Sequence, residues 1–153
     1  KMDWVVQKST ELGAASIAGY HSSRCQGQLS MDQAGKKRDR WQRISHNACK
    51  QSMRAWVPEV GLPASFTETV IAAGAEIGLK LLFWEEEHDV FLDDVTDWSG
   101  HESVLLLLGP EGGLTQEEVS LARKNGFTTV SMGRRILRAE TAAITAVSIV
   151  QYL

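Results

Sequence analysis

Leu108-Gly109-Pro110-Glu111-Gly112-Gly113-Leu114-Thr115 and, further along, Met132-Gly133-Arg134-Arg135-Ile136-Leu137-Arg138-Ala139-Glu140-Thr141-Ala142 decide how this chain is read. Each segment is a stiff loop between an apolar run and a helix start. In the first, Pro110 fixes its own φ, while the glycines permit backbone conformations that side chains forbid. The loop leaves the C-terminal end of the apolar run Val104 to Leu108, where open α/β sheets bind ligands. In the second, Ile136 and Leu137 are apolar where a loop is normally polar, which suits the flanks of a flat ring. Arg134, Arg135 and Arg138 add three cations. The first loop alone also fits a plain strand-to-helix turn, and Arg134 and Arg135 also fit simple surface solubility. Arg138, between the apolar pair and Glu140, is the cation expected to face a pocket. Together the loops predict two walls of one ligand site. Neither is G-x-G-x-x-G or G-x-x-x-x-G-K-[ST], so a Rossmann dinucleotide site or a P-loop has little support.

Strand and helix patterns alternate around these loops. Val104 to Leu108 is apolar without alternation and predicts a parallel strand covered on both faces. Thr115 and Glu118 form a capping box for a helix that ends at Asn125-Gly126. Phe127 to Met132 reads as the next strand. The last helix begins near Glu140-Thr141 and is apolar on most sides through Ile144, Val147, Ile149 and Val150, which predicts burial in the core and in a subunit contact. Upstream, Asp3 caps a helix through Trp4, Val5, Lys8 and Leu12 that Gly13 ends. Ala15 to Tyr20 reads as a strand and 26–35 as a loop. A helix follows over 36–55, then an extended connection bounded by Pro58 and Pro63. A helix around 67–77 stops at Gly78, and Leu79 to Trp84 is a buried strand. The order predicts an α/β domain with a mainly parallel sheet and flanking helices.

The chain has 153 residues, enough for one domain with a real core, and 43% hydrophobic with 23% charged residues is ordinary for a globular protein. No run is long and apolar enough to span a membrane. Cys25 and Cys49 are isolated, which predicts free thiols in a reducing compartment and a cytoplasmic location. The chain starts abruptly at a helix and ends inside one, which reads as a fragment.

Charge is unevenly spread. From Lys36 to Arg54 there are seven basic residues against the single acid Asp39, a local +6 in a chain of −3, so the remainder carries −9. Trp41, Ile44 and Ala48 repeat at helical spacing and face the core, while Lys36, Arg40, Arg43, Lys50 and Arg54 share a different face. That face is either plain solvated charge or a phosphate-tracking surface, since clustered Lys and Arg displace counterions from a nucleic-acid backbone. Glu85-Glu86-Glu87-His88-Asp89 imitates a metal site but reads as a solvated loop. His21, His46, His88 and His101 lack ligand spacing, and no metal is expected.

The two loops resemble the G-P-E-G-G-L-T and L-G-x-R-I-L-R-x-E-T-A signatures of the RsmE-like 16S ribosomal RNA uridine-N3-methyltransferases of the SPOUT superfamily. Asp3-Trp4-Val5-Val6-Gln7-Lys8, Thr10-Glu11-Leu12-Gly13, Ser23-Arg24-Cys25, Arg40-Trp41, Ala48, Gln51-Ser52 and Arg54 match as well, in order and over nearly the whole chain. The resemblance implies a deep C-terminal trefoil knot, a homodimer with the pocket near the subunit contact, and a 16S ribosomal RNA or small-subunit substrate. It also implies S-adenosylmethionine held largely by backbone groups. By match, the cofactor-binding residues are Leu108, Gly109, Gly112, Gly113, Met132, Gly133, Ile136, Leu137, Arg138, Thr141 and Ala142. Lys50 stands where the family has glutamate and Met53 where it often has glycine; both departures bear on RNA contact more than on methyl transfer. Residues 1–153 read as the methyltransferase domain. The family's small N-terminal β-barrel is missing, so cofactor binding is expected to survive and RNA affinity to fall.

Methylating uridine N3 requires in-line placement and removal of a proton, which leaves an anionic imidate. Arg138 is assigned to the imidate. Glu140 is assigned to orient Arg138 or accept the proton, against a plain capping role beside Thr141. Arg24 is a further substrate contact, against a surface ion pair. Lys8 and Glu11 read as a structural ion pair. RNA contacts are assigned to Arg24, Lys36, Arg40, Arg43, Lys50 and Arg54. The competing readings are a ribose 2′-O-methyltransferase, which favours an asparagine-serine pair where this chain has Glu140-Thr141, a noncatalytic RNA-binding module, and an oligomerisation domain.

Overall fold

A computed structural model describes residues 1–25, 30–73, 78–95, 98 and 100–152. The first helix, α1, is Met2–Glu11. Asp3 does not cap it from outside, as expected, but sits in its first turn. There it accepts a 3.1 Å hydrogen bond from Trp41 Nε1 and pairs with Arg40, so the carboxylate braces two helices while still meeting the helix's positive end. Lys8 and Glu11 form the expected pair at 2.7 Å.

The second helix, α2 (Met31–Gln51), starts earlier than its composition suggests. Ser30 and Gln33 close a capping box there, with Ser30 Oγ accepting from the Gln33 amide at 3.3 Å and Gln33 Oε1 accepting from the Ser30 amide at 3.1 Å. The rest of the expected 26–35 loop, residues 26–29, lies outside the described residues. The helix also ends earlier than predicted. Met53 adopts φ +54 and turns the chain away.

Strands β1 (Ser16–His21) and β2 (Glu59–Ser65) pair in parallel, so the connection between Pro58 and Pro63 is itself a strand. Their register shifts between Ala18 and Tyr20, opposite the stretch from Gly61 to Ala64 that contains Pro63. Proline has no N–H to give a ladder and is tolerated at such an irregularity. Helices α1 and α2 cover this sheet through Val6, Trp41 and Val60, all buried.

Helix α3 (Phe66–Ala72) opens with the Ser65–Glu68 capping box; residues 74–77 of the expected longer helix lie outside the described residues. A second sheet has the order β4-β3-β5, built from β3 (Leu79–Phe83), β4 (Val104–Leu108) and β5 (Thr128–Val130), all parallel. The central strand is β3. Leu82 and Trp84 point into one core with Phe66, Val119 and Phe127 from the α3 and α4 side. Leu81 and Phe83 point into the other with Val130 and Ala146 from the α5 side. Strand β4 is covered on both faces, as its apolar run predicts, with Leu105 and Leu107 against the first core and Val104, Leu106 and Leu108 against the second. It lies at an edge of the described sheet, and of its five residues only Leu107 is fully buried. Strand β5 is shorter than predicted because Ser131 leaves the ladder to exchange backbone hydrogen bonds with Val90 and Leu92.

Helix α4 (Gln116–Lys124) carries the predicted Thr115–Glu118 box and stops at Asn125. Helix α5 (Ala139–Tyr152) buries Ala143 and Ala146, leaving Ile144, Val147 and Val150 half-covered. The α/β class with parallel sheets and flanking helices stands as predicted. No helix of the described residues is long and apolar enough to cross a membrane.

Candidate functional site

The carboxyl ends of β3, β4 and β5 and the start of α5 enclose one cleft of about 710 Å³. Both glycine-punctuated loops line it. Of the residues assigned from sequence, Leu108, Gly109, Gly112, Gly113, Met132, Gly133, Ile136, Leu137, Arg138 and Ala142 meet there. Thr141 does not; it is exposed on α5 outside the lining. Ile136 is 88% exposed, an apolar side chain held in water at the cleft mouth. Arg138 is also exposed; its carbonyl accepts from the Ala142 amide at 2.8 Å, and its guanidinium has no hydrogen-bond or ion-pair partner among the described residues. Glu140 makes no bond to Arg138. Its Oε2 is buried without a partner at the base of α5.

The first loop owes its shape to what flanks it. Gly113 adopts φ +71, and a Cβ there would collide with the Glu85 carboxylate. On the other side, Arg24 Nη1 donates to the Gly112 carbonyl at 3.2 Å. Arg24 does not line the cleft and braces the loop from behind. Its own position is set by the Ser23 amide, which donates to Glu118 Oε1 at 2.8 Å, so the α4 capping residue also anchors the turn after β1. Tyr20 Oη donates to the Leu108 carbonyl at 2.6 Å. Burial, with the nearby charge of Glu118, pushes the Tyr20 phenol well above its usual range, so it remains a donor.

Sequence reasoning missed the third wall. Phe83, Trp84, Glu85 and His88 line the cleft from the end of β3. The signal was present, since Glu85 follows an apolar run just as Gly109 does, but the acidic run disguised it. Glu87 is not solvated either. It is buried and accepts from Thr129 Oγ1 at 2.6 Å and from the amides of Asp89 and Val90, and it pairs with Arg123 at 3.1 Å. Burial opposes its ionisation. The hydrogen bonds from Thr129, Asp89 and Val90, and the charge of Arg123, outweigh that and hold its carboxyl below the usual range. Among the described residues no cluster of three or more His, Cys, Asp or Glu has the geometry for a metal.

The basic helix divides into kinds. Lys36, Arg43 and Lys50 are exposed on α2. Lys36 pairs with Asp32, and Arg40 with Asp3. Arg54 lies beyond the helix and turns inward, donating to the carbonyls of Thr10 at 2.7 Å and Ala14 at 2.9 Å. A cation on the last carbonyls of α1 is a C-terminal cap.

A cleft at the carboxyl ends of parallel strands, walled by glycine loops, apolar flanks and an exposed arginine, belongs to a ligand-binding α/β enzyme domain. The chain belongs to the RNA methyltransferase domain family, whose model matches residues 1–151. It is 35% identical to the ribosomal RNA small subunit methyltransferase E of Bacillus subtilis, over 99% of this chain and 61% of that protein. A putative methyltransferase of Legionella pneumophila, solved in complex with the bound cofactor SAM, superposes with a TM-score of 0.88 at 37% identity, covering 99% of this chain and 60% of the other. The ribosomal RNA small subunit methyltransferase E of Neisseria gonorrhoeae, solved bound to S-adenosyl methionine, does so with 0.85 at 35% identity, over 98% and 60%. The chain thus spans about three fifths of the length of these relatives.

Proposed function

We propose that this domain transfers a methyl group from S-adenosylmethionine to N3 of a uridine in 16S ribosomal RNA. The observation that carries the reading is the meeting of both glycine loops in one cleft, beside an arginine whose guanidinium has no partner among the described residues. Its volume lies in the range of cofactor sites. Leu108, Ile136 and Leu137 offer apolar flanks for an adenine ring. Gly109, Gly112, Gly113, Met132, Gly133 and Ala142 offer backbone groups for the ribose and the amino-acid tail, and Thr141 is kept as a contact at the start of α5. When bound, the cofactor supplies a methyl already activated by its sulfonium charge and departs as a neutral thioether.

The chain's own residues then handle charge. Arg138 stabilises the uridine imidate that forms as N3 loses its proton. Glu140, whose free carboxylate oxygen is at the foot of the same helix turn, takes that proton or orients Arg138 once substrate is seated. Arg24 contacts substrate phosphate across the first loop, and Lys36, Arg40, Arg43 and Lys50 track the strand. Arg54, capping α1, has the weakest claim to that role.

The half-covered apolar side chains of α5 support a homodimer with the cleft near the contact. The relatives' family supports a trefoil knot through the cleft loops, a cytoplasmic location with the ribosomal substrate, and assignment of 1–153 as the methyltransferase domain. Titration with S-adenosylmethionine in a calorimeter tests the reading. Stoichiometric heat and a raised melting temperature are expected, and a folded sample that gives neither rejects it.

A further inference from the structure

A second groove runs between α1 and α2, about 570 Å³ in volume and separate from the cleft. Trp4, Gln7, Ile44, Asn47 and Gln51 line it, with Lys1 at one end. Trp4 is 55% exposed, a large indole left in water. Lys8, which does not line the groove, steadies the ring with its ammonium 5.7 Å from the centroid. The side-chain amides of Gln7, Asn47 and Gln51 have no partner among the described residues. A carboxamide carries both a donor and an acceptor, so these three match the edge of a nucleobase while the indole matches its face.

The groove is also placed for a strand. The exposed cations Arg43 and Lys50 lie on the same helix, one before Ile44 and one before Gln51. At the other end Lys1 pairs with Glu111, which belongs to the first loop of the donor cleft. Groove and cleft therefore adjoin across a single ion pair.

We propose that this groove docks an unpaired base of the RNA strand that enters the cleft, with Trp4 as the stacking platform and Gln7, Asn47 and Gln51 on the base edge. The proposal rests on the methyl-transfer reading for the identity of the strand. The groove offers an exposed indole face beside three amides without partners among the described residues, and the exposed cations Arg43 and Lys50 flank it, a combination that suits a base on a polyanionic strand.

Binding of a fluorescein-labelled, uridine-containing single-stranded RNA oligonucleotide tests it, with S-adenosylmethionine titration as the parallel measurement. Trp4→Leu is expected to weaken oligonucleotide binding about tenfold. Trp4→Phe retains part of the affinity, cofactor affinity stays unchanged, and the salt dependence keeps its slope. The pair Arg43→Glu and Lys50→Glu instead flattens that slope. Unchanged oligonucleotide affinity in Trp4→Leu overturns the proposal. So does a change of oligomeric state in that variant by sedimentation, or an unaltered chain that takes the cofactor but no oligonucleotide at low salt. If the unaltered chain binds the oligonucleotide through Trp4 yet takes no cofactor, the groove stands and the methyl-transfer reading falls.

Discussion

The phenol of Tyr20 donates a 2.6 Å hydrogen bond to the carbonyl of Leu108, across 88 residues of chain. Tyr20 belongs to the two-stranded sheet and Leu108 to the three-stranded one, so one bond joins them at the point where the first glycine loop departs. Tyr20 also packs edge-on against Phe66, with ring centroids 5.5 Å apart. Tyr20→Phe keeps that packing and leaves the carbonyl unsatisfied, at a cost of about 1–3 kcal/mol. The expected result is a lower melting temperature and a several-fold weaker affinity for S-adenosylmethionine by calorimetry. A variant with wild-type affinity would detach Tyr20 from the loop's geometry.

Gly113 and Gly133 separate two costs. Gly133 adopts φ +103 with open space around a would-be Cβ, so Gly133→Ala meets only backbone strain, about 1–3 kcal/mol. Gly113→Ala meets strain and the Glu85 carboxylate together. It is expected to lose more stability than Gly133→Ala, and adding Glu85→Ala should restore part of the difference. Urea unfolding of the three variants beside the unaltered chain decides this; no recovery in the double variant would mean that the collision with Glu85 is not what sets the two glycines apart.

Glu87 predicts a pH signature. Its carboxyl is held below the ordinary value of 4.5, so its stabilising contribution is fully present above that value and is lost as pH falls through the lower, folded-state value. Glu87→Gln should cost about 1–3 kcal/mol at neutral pH, because charge-assisted hydrogen bonds are lost. The gap from the unaltered chain should then close in acid. A gap that stays constant through the acid range would show that the charge contributes nothing.

For the chemistry, Arg138→Ala and Glu140→Gln are expected to lower methyl transfer to small-subunit RNA by about a hundredfold or more at saturating cofactor, with cofactor affinity little changed in Glu140→Gln. Wild-type turnover in both would remove these residues from the mechanism.

Met53 is an exposed residue at φ +54, in the left-handed region that favours glycine. Met53→Gly is expected to be tolerated or stabilising, whereas Met53→Ile should cost about 1–2 kcal/mol, because a β-branched side chain fits the left-handed region poorly. Thermal melts of the pair test this. The same residue shows why helical periodicity misplaces its neighbour. Helical spacing carries Arg54 onto the basic face of α2, but the helix stops at Gln51 and Met53 swings the chain round, so the guanidinium meets the end of α1 instead. Periodicity holds only while the helix does. Thr115 with Glu118 was legible because a capping box is written within four residues. The edge position of β4 was not, since an apolar run reads alike at a sheet's centre and at its edge. Glu85 and Glu87 look identical as letters. Partners distant in sequence put one at the cleft and the other in the interior.

Every strand pairing among the described residues is parallel, and the bonds that brace the first glycine loop close over 88 and 95 residues. Such long-range closures are late events in folding. The cleft is therefore expected to lock only after the helices and sheets have formed, leaving its bracing largely absent from the folding transition state. A molecule seated there should slow unfolding while barely altering the refolding rate. Stopped-flow traces with and without S-adenosylmethionine would reveal this asymmetry, and equal effects on both limbs would refute it.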